Sequence, residues 1–181
     1  MFGRLKGKVI EKSPPFLIID VNGIGFSVQS PLNIFEKIEL NQDLALYTKC
    51  LIKDEEIFLY GFLQKTELDT FEALISVSGL GPKSALTLLS NFSPDEIAKA
   101  IEEENLDLLS SVPRIGKKLA SKIILEMKGK LNFVKETGTF NQALNALCSL
   151  GLTRAEAISR LKGLPNDLPA EELIKQALRS K

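Results

Sequence analysis

The chain has 181 residues, with 23 basic and 23 acidic side chains, no histidine and two cysteines. Its zero net charge argues against nucleic-acid binding by bulk charge alone. Without histidine, and with Cys50 and Cys148 far apart, no zinc-ligand set is expected, and no apolar run is long enough to span a bilayer. The first residues, Met1 to Lys8, lack an apolar core followed by a cleavage site, so no signal peptide is expected and the expected location is cytoplasmic. Two lone cysteines fit a reducing compartment, where they serve as small buried residues.

Residues 1–63 predict a β domain. Arg4–Lys12 and Phe16–Val21 are strand-like runs separated by Ser13-Pro14-Pro15, and Asn22-Gly23 is a two-residue hairpin signal leading into Ile24–Gln29. Leu44–Ile52 forms a fourth run, and the acidic tip Lys53-Asp54-Glu55-Glu56 turns the chain into Ile57–Phe62. Five short antiparallel strands in about 60 residues predict a small barrel, because closure removes exposed edges. Tyr60 and Phe62 are expected in its core.

Residues 64–131 predict about five helices. Ser93-Pro94-Asp95-Glu96 is a helix start with a capping box, and Asn105 is placed to cap another. Within this region one pattern occurs twice. Val77-Ser78-Gly79-Leu80-Gly81-Pro82-Lys83-Ser84-Ala85 and Val112-Pro113-Arg114-Ile115-Gly116-Lys117-Lys118-Leu119-Ala120 share apolar, Gly, Lys and Ala positions. Each copy predicts a hairpin between two helices. A glycine hairpin opening into a helix presents free N–H groups at the positive end of the helix dipole, an anion site. Two such sites point to two phosphates of a nucleic-acid backbone. Gly79, Gly81 and Gly116 are candidates for close backbone approach. Lys83, Lys117 and Lys118 are candidates for phosphate contact, with Lys122 one turn further on. From Arg114 to Lys130 there are six basic residues and one acid, Glu126, whereas Asp95 to Asp107 holds six acids and one lysine. The basic run coincides with the second hairpin. Leu119, Ile123 or Ile124, and Met127 form the apolar stripe of its helix, which turns the lysines outward.

Residues 132–139 read as a short linker. Eight residues reach at most roughly 28 Å. Residues 140–181 predict three short helices, with Gly151 and Gly163 ending the first two, a capping box at Thr153-Arg154-Ala155-Glu156, and Pro169 at the first position of the third. Leu144, Leu147, Leu150, Ile158, Leu161, Leu173, Ile174 and Leu178 are the expected core. So small a module suits docking better than chemistry.

Barrel, paired helix-hairpin-helix, linker and three-helix module, in that order, resemble the RuvA family of Holliday-junction-binding subunits. The strings Gly3-Arg4-Leu5-Lys6-Gly7, Leu59-Tyr60-Gly61-Phe62, Gly79-Leu80-Gly81-Pro82-Lys83 and Ile115-Gly116-Lys117-Lys118, with Leu125-Glu126-Met127-Lys128, carry the resemblance over the whole chain. It implies a multidomain α+β chain. The parts are a five-stranded OB-fold barrel, an all-α tandem helix-hairpin-helix domain and a C-terminal UBA-like three-helix module. It implies a homotetramer, with an octamer as a further form, that holds a four-way junction open and recruits the hexameric AAA+ motor RuvB through residues 140–181. RuvC resolvase is a further implied partner, and DNA recombination, repair and the SOS response are the implied setting. The family's acidic pin falls on Asp54 and Glu55, with Glu56 an extra acid. Carboxylates near converging phosphates disfavour ordinary duplex. Arg114 stands where the family's second hairpin has a glycine. Either the hairpin is remodelled there, or the position tolerates arginine and its guanidinium contacts phosphate.

No cofactor is expected. Gly116-Lys117-Lys118 lacks the upstream glycine and following Ser or Thr of a Walker A motif, and Pro82 breaks the Gly-Lys pair in the first hairpin, so ATP and Mg²⁺ belong to the motor. Two other readings compete. A glycosylase would need a catalytic acid such as Asp95, which a helix cap already explains, and a nuclease would need Asp54, Glu55 and Glu56 to hold Mg²⁺ together. A general DNA adaptor would gain nothing from an acidic tip.

Overall fold

Apolar residues alternate along the first 62 residues and build five strands: β1 (Arg4–Ser13), β2 (Phe16–Val21), β3 (Ile24–Gln29), β4 (Asp43–Lys53) and β5 (Glu56–Phe62). The protein is represented by a computed structural model that describes residues 2–129, 138–161, 164 and 168–179. The strands close into a barrel in the order β1-β2-β3-β5-β4. Val9, Leu17, Ile19, Val28 and Leu46 fill its interior, fully buried. One expectation fails here. The β3–β5 pair is parallel, with Val28 opposite Leu59 and Gln29 opposite Tyr60. A closed ring of five strands cannot alternate direction all the way round, so one pair must run parallel. Gly61 permits this closure, because a Cβ there would meet Val28 Cγ1 at 2.5 Å and Leu46 Cδ1 at 2.7 Å.

The short helix α1 (Leu32–Phe35) follows β3 and buries Ile34 and Phe35. The sequence predicts no element there, since four residues are too few to display a helical period. Five helices come next: α2 (Lys65–Ser76), α3 (Pro82–Asn91), α4 (Pro94–Glu102), α5 (Leu106–Ser110) and α6 (Lys117–Met127). Ser93 caps α4 with a complete capping box, and the Leu108 N–H donates to Asn105 Oδ1 at 3.0 Å to start α5. Hydrogen bonds from Ser93 hold the Glu96 carboxyl below its ordinary range.

The barrel and these helices form one unit, residues 1–132. Phe71 of α2 is fully buried, its ring centroid 5.0 Å from those of both Tyr60 and Phe62. The two aromatic residues are core, as expected. Their particular role is to weld β5 to α2. Lys49 of β4 pairs with Glu72 of α2 at 2.7 Å, the Leu32 N–H donates to Ser90 Oγ at 2.8 Å, and Asn33 Nδ2 donates to the Leu89 carbonyl at 3.1 Å. The β4–β5 hairpin and the helical hairpins are thus carried on one framework.

The second unit, residues 133–181, holds α7 (Gly138–Ser149), α8 (Arg154–Leu161) and α9 (Ala170–Arg179). Helix α7 begins at Gly138, two residues inside the stretch read as linker, and the rest of that stretch lies outside the described residues. Gly151, at φ 97°, ends α7: its N–H donates to the Cys148 carbonyl, and the Leu152 N–H donates to that of Leu147. Thr153 and Glu156 exchange the bonds of a capping box. Pro169 stands one residue before α9, its carbonyl accepting from Glu172 and Leu173, so it caps the helix from outside. Gly163 lies outside the described residues. The core is Ala143, Leu144, Leu147, Ala157, Leu161, Leu173 and Ala177, with Ile158 and Ile174 partly buried against it. Leu150 and Leu178, expected in this core, are exposed. The buried stripe of α9 runs through Leu173 and Ala177, which turns the next residue outward, and Leu150 lies past the end of α7. Cys50 and Cys148 are each half-buried against a core.

Candidate nucleic-acid interface

The two repeated segments fold into hairpins with the same backbone. In the first, Gly79 sits at φ 95° and the Leu80 N–H donates to the Val77 carbonyl at 3.0 Å. Gly81 then caps α3 at φ −80°, ψ 166°, and the Ala85 N–H donates to its carbonyl at 3.1 Å. In the second, Arg114 sits at φ 73° and the Ile115 N–H donates to the Val112 carbonyl at 3.1 Å. Gly116 caps α6 at φ −79°, ψ 168°, and the Ala120 N–H donates to its carbonyl at 2.9 Å. Val77, Leu80, Val112 and Ile115 are buried and anchor the loops from beneath. The second hairpin is therefore not remodelled around Arg114. Arginine occupies the left-handed conformation that glycine holds in the first.

The start of α6 runs against the rules that stabilise helices, while α3 has the glycine cap and first-turn Pro82 but no side-chain partner for its free N–H groups. Neither has a side-chain cap or an acid in its first turn. Helix α6 opens with Lys117 and Lys118, which oppose its dipole. By contrast α4, between them, has Ser93, Asp95 and Glu96 at its start. Both starts therefore leave their first N–H groups without a side-chain partner. A Cβ added at Gly81 or Gly116 would meet nothing within 4 Å, so the protein's own packing does not require glycine at either position. Both glycines are exposed, with open space beside the backbone. Lys83, Arg114, Lys117 and Lys118 form no ion pair among the described residues, and the hairpins leave their charges within reach of solvent.

The rest of the basic run divides. Lys122 is half-buried and lies 3.8 Å from Glu126, a loose pair one turn along α6 that leaves its charge usable. Lys128 is engaged by Glu104, which raises its pKa and lowers that of the glutamate, so it ties the end of α6 back to the α4–α5 turn. Lys130 lies outside the described residues. One positioning residue is not evident from sequence. Leu119, which reads only as part of an apolar stripe, lies where its Cδ1 would be 3.7 Å from a Cβ at Gly79, so the helix of the second hairpin packs beneath the first. No sequence signal distinguishes that role from ordinary burial.

The acidic tip is a two-residue turn. Asp54 at φ 51° and Glu55 at φ 66° are both left-handed, the geometry of a type I′ hairpin, which favours Asn-Gly. Glu56 belongs to β5, opposite Lys53. All three acids are exposed, and no group of three carboxylates, cysteines or histidines among the described residues can hold a metal ion. Acids held in strained turn positions are best explained by what they face.

Family comparisons match three stretches of the chain. Residues 1–61 match the model of the RuvA N terminal domain, 71–128 the SAM-like helix-hairpin-helix tandem, and 139–180 the RuvA C-terminal domain. A protein of Chromobacterium violaceum named Holliday junction branch migration complex subunit RuvA is 39% identical over 193 residues, covering 99% of this chain and 98% of that one. The chain belongs to the RuvA family. RuvA proteins of the same name from Marinomonas and Haemophilus influenzae are 36% and 34% identical, each over 99% of this chain. No described helix is long and apolar enough to cross a membrane.

Proposed function

We propose that this chain binds four-way DNA junctions by their structure and serves as the non-catalytic, DNA-holding subunit of a branch-migration complex. The observation that carries this is the pair of hairpins with one backbone geometry, open to phosphate, on the same rigid unit as an acidic turn. Such contacts read phosphates and therefore geometry, with no base sequence. Asp54 and Glu55 repel closely packed strands and guide separated ones, while the hairpins, with Arg114, Lys122 and the neighbouring lysines, grip the arms. The chain works as a homotetramer, with an octamer as a second form. It needs no cofactor of its own. Residues 140–181 dock the hexameric RuvB motor, which supplies ATP hydrolysis with Mg²⁺, and RuvC resolvase joins the same junction. The setting is recombination and repair of damaged DNA, under the SOS response, in the cytoplasm.

The test is fluorescence anisotropy with a synthetic four-way junction and a linear duplex of the same arm sequences at about 0.15 M salt, where non-specific binding is weak. The expected preference for the junction is roughly a hundredfold or more, on the scale that separates specific from non-specific DNA binding. Equal affinities refute the reading. Asp54→Asn with Glu55→Gln is expected to keep junction binding and raise duplex binding. Unchanged selectivity in that variant removes the pin from the mechanism.

A further inference from the structure

Beside the hairpins, between the barrel and α3, lies a groove of about 490 Å³. Its walls include Lys83 from the first hairpin and Arg114 from the second, with Phe16 and Phe58 from the barrel, Ser30, and Asn91 from the end of α3. No acidic side chain lines it. Phe16 is 42% exposed, and Ser30 is 1% exposed with a hydroxyl that has no hydrogen-bond partner.

Each part has a matching chemical demand. Two cations without acid partners ask for a phosphate, aromatic rings ask for a flat apolar group, and the unmet Ser30 hydroxyl asks for a polar edge. A nucleotide has all three. The volume suits a small-ligand site. A paired duplex cannot enter, because its bases are stacked inside and only its phosphates face a protein surface of this kind. Phe58 stands three residues from Glu55 along β5, roughly 10 Å from the acidic turn at strand spacing. A strand parted at that turn is thus within reach of the groove. Arg114 also acquires a purpose: the strained backbone places a guanidinium where the first hairpin has only a hydrogen.

We propose that this groove takes one unpaired nucleotide of a DNA strand, with its phosphate on Lys83 and Arg114 and its base against Phe16 and Phe58. The proposal rests on the junction-binding reading above and adds a base-contacting site to it. The full chain is titrated by anisotropy with a labelled thymidine pentamer and with an abasic pentamer of the same phosphate number. The four-way junction is run in parallel on the same preparation. The thymidine pentamer is expected to bind about fivefold tighter or more, the gain that stacking a single base supplies. Phe16→Ala, at an exposed position, and the conservative Phe58→Leu are each expected to shrink that preference toward unity, with junction affinity falling by no more than the same factor. Equal binding of the two pentamers overturns the proposal, since only phosphates are then read. A preference that survives both variants also overturns it, because the base then sits elsewhere. Loss of junction selectivity alongside an intact, variant-sensitive base preference refutes the parent reading and leaves the groove standing.

Discussion

The two hairpins share a backbone and differ in the residue that turns it: Gly79 at φ 95° in one, Arg114 at φ 73° in the other. A left-handed arginine is strained by about 1–2 kcal/mol, which glycine avoids. It persists because the frame around it is over-determined. The buried anchors Val112 and Ile115 hold the loop from below, and the Gly116 cap fixes its exit into α6. Backbone shape at this position therefore belongs to the frame, and the residue in the turn is left to choose chemistry. The second hairpin uses that freedom to gather Arg114, Lys117 and Lys118, where the first has Lys83 alone.

The comparison is broken most severely at the two caps. Aspartate is a good N-cap, and Gly81 and Gly116 have open space for it. Gly81→Asp with Gly116→Asp should leave thermal stability unchanged or raised while junction affinity falls roughly a hundredfold, the scale of two charge-assisted hydrogen bonds. Anisotropy and a melting curve on one sample check both halves. A junction that still binds normally would return these glycines to ordinary turns.

Charge sharpens it next. Lys117→Ala with Lys118→Ala should reduce the slope of log affinity against log salt by about 2, and Lys83→Ala by about 1, one for each phosphate left without its lysine. Equal slopes for all three proteins would place the lysines away from the DNA.

Exchanging the turn residues tests the frame itself. Arg114→Gly should stabilise the protein by about 0.5–1 kcal/mol, the relief of strain less the extra entropy of an unfolded glycine. That shifts the melting temperature by roughly 1–4 °C. Gly79→Arg should destabilise by a similar amount. An opposite sign in either variant would mean that the two loops are not equivalent.

The smallest effect lies at the far end of α6. The Lys128 hydrogen bond, then its charge, lowers the Glu104 pKa, and the same contact raises that of Lys128. A depressed carboxyl contributes stability above its unfolded pKa and loses it as pH falls through the folded one. A raised lysine loses its contribution only as pH rises past the ordinary lysine range. Both groups are exposed, so the difference is slight. Glu104→Gln should be marginally less stable than the parent at neutral pH in chemical denaturation, with the gap closing below the ordinary carboxylate range. A gap that persists in acid would assign it to packing.

Much of this architecture is legible in the sequence because it is local. Strand alternation, the Asn22-Gly23 turn, the Ser93 capping box and the repeated Gly-x-Lys segments each declare themselves within ten residues. The misses involve distant partners, very short elements or apolar residues one position off a buried stripe. Leu178 reads as core by type, yet lies beside the stripe that Leu173 and Ala177 bury. Lys128 reads as one more surface cation until Glu104, 24 residues earlier, claims it.

The sequence by itself determined the elements other than α1, the caps of α4, α5 and α8, the two glycine-lysine hairpins and the acidic turn, because hydrogen bonding and apolar periodicity act between near neighbours. Tertiary structure decided the parallel β3–β5 closure, which follows from an odd ring of strands. It also decided the left-handed Arg114, which its frame imposes, and the groove where Lys83 and Arg114 meet the barrel. Each of these depends on chain segments far apart in sequence. Only the folded packing brings them together.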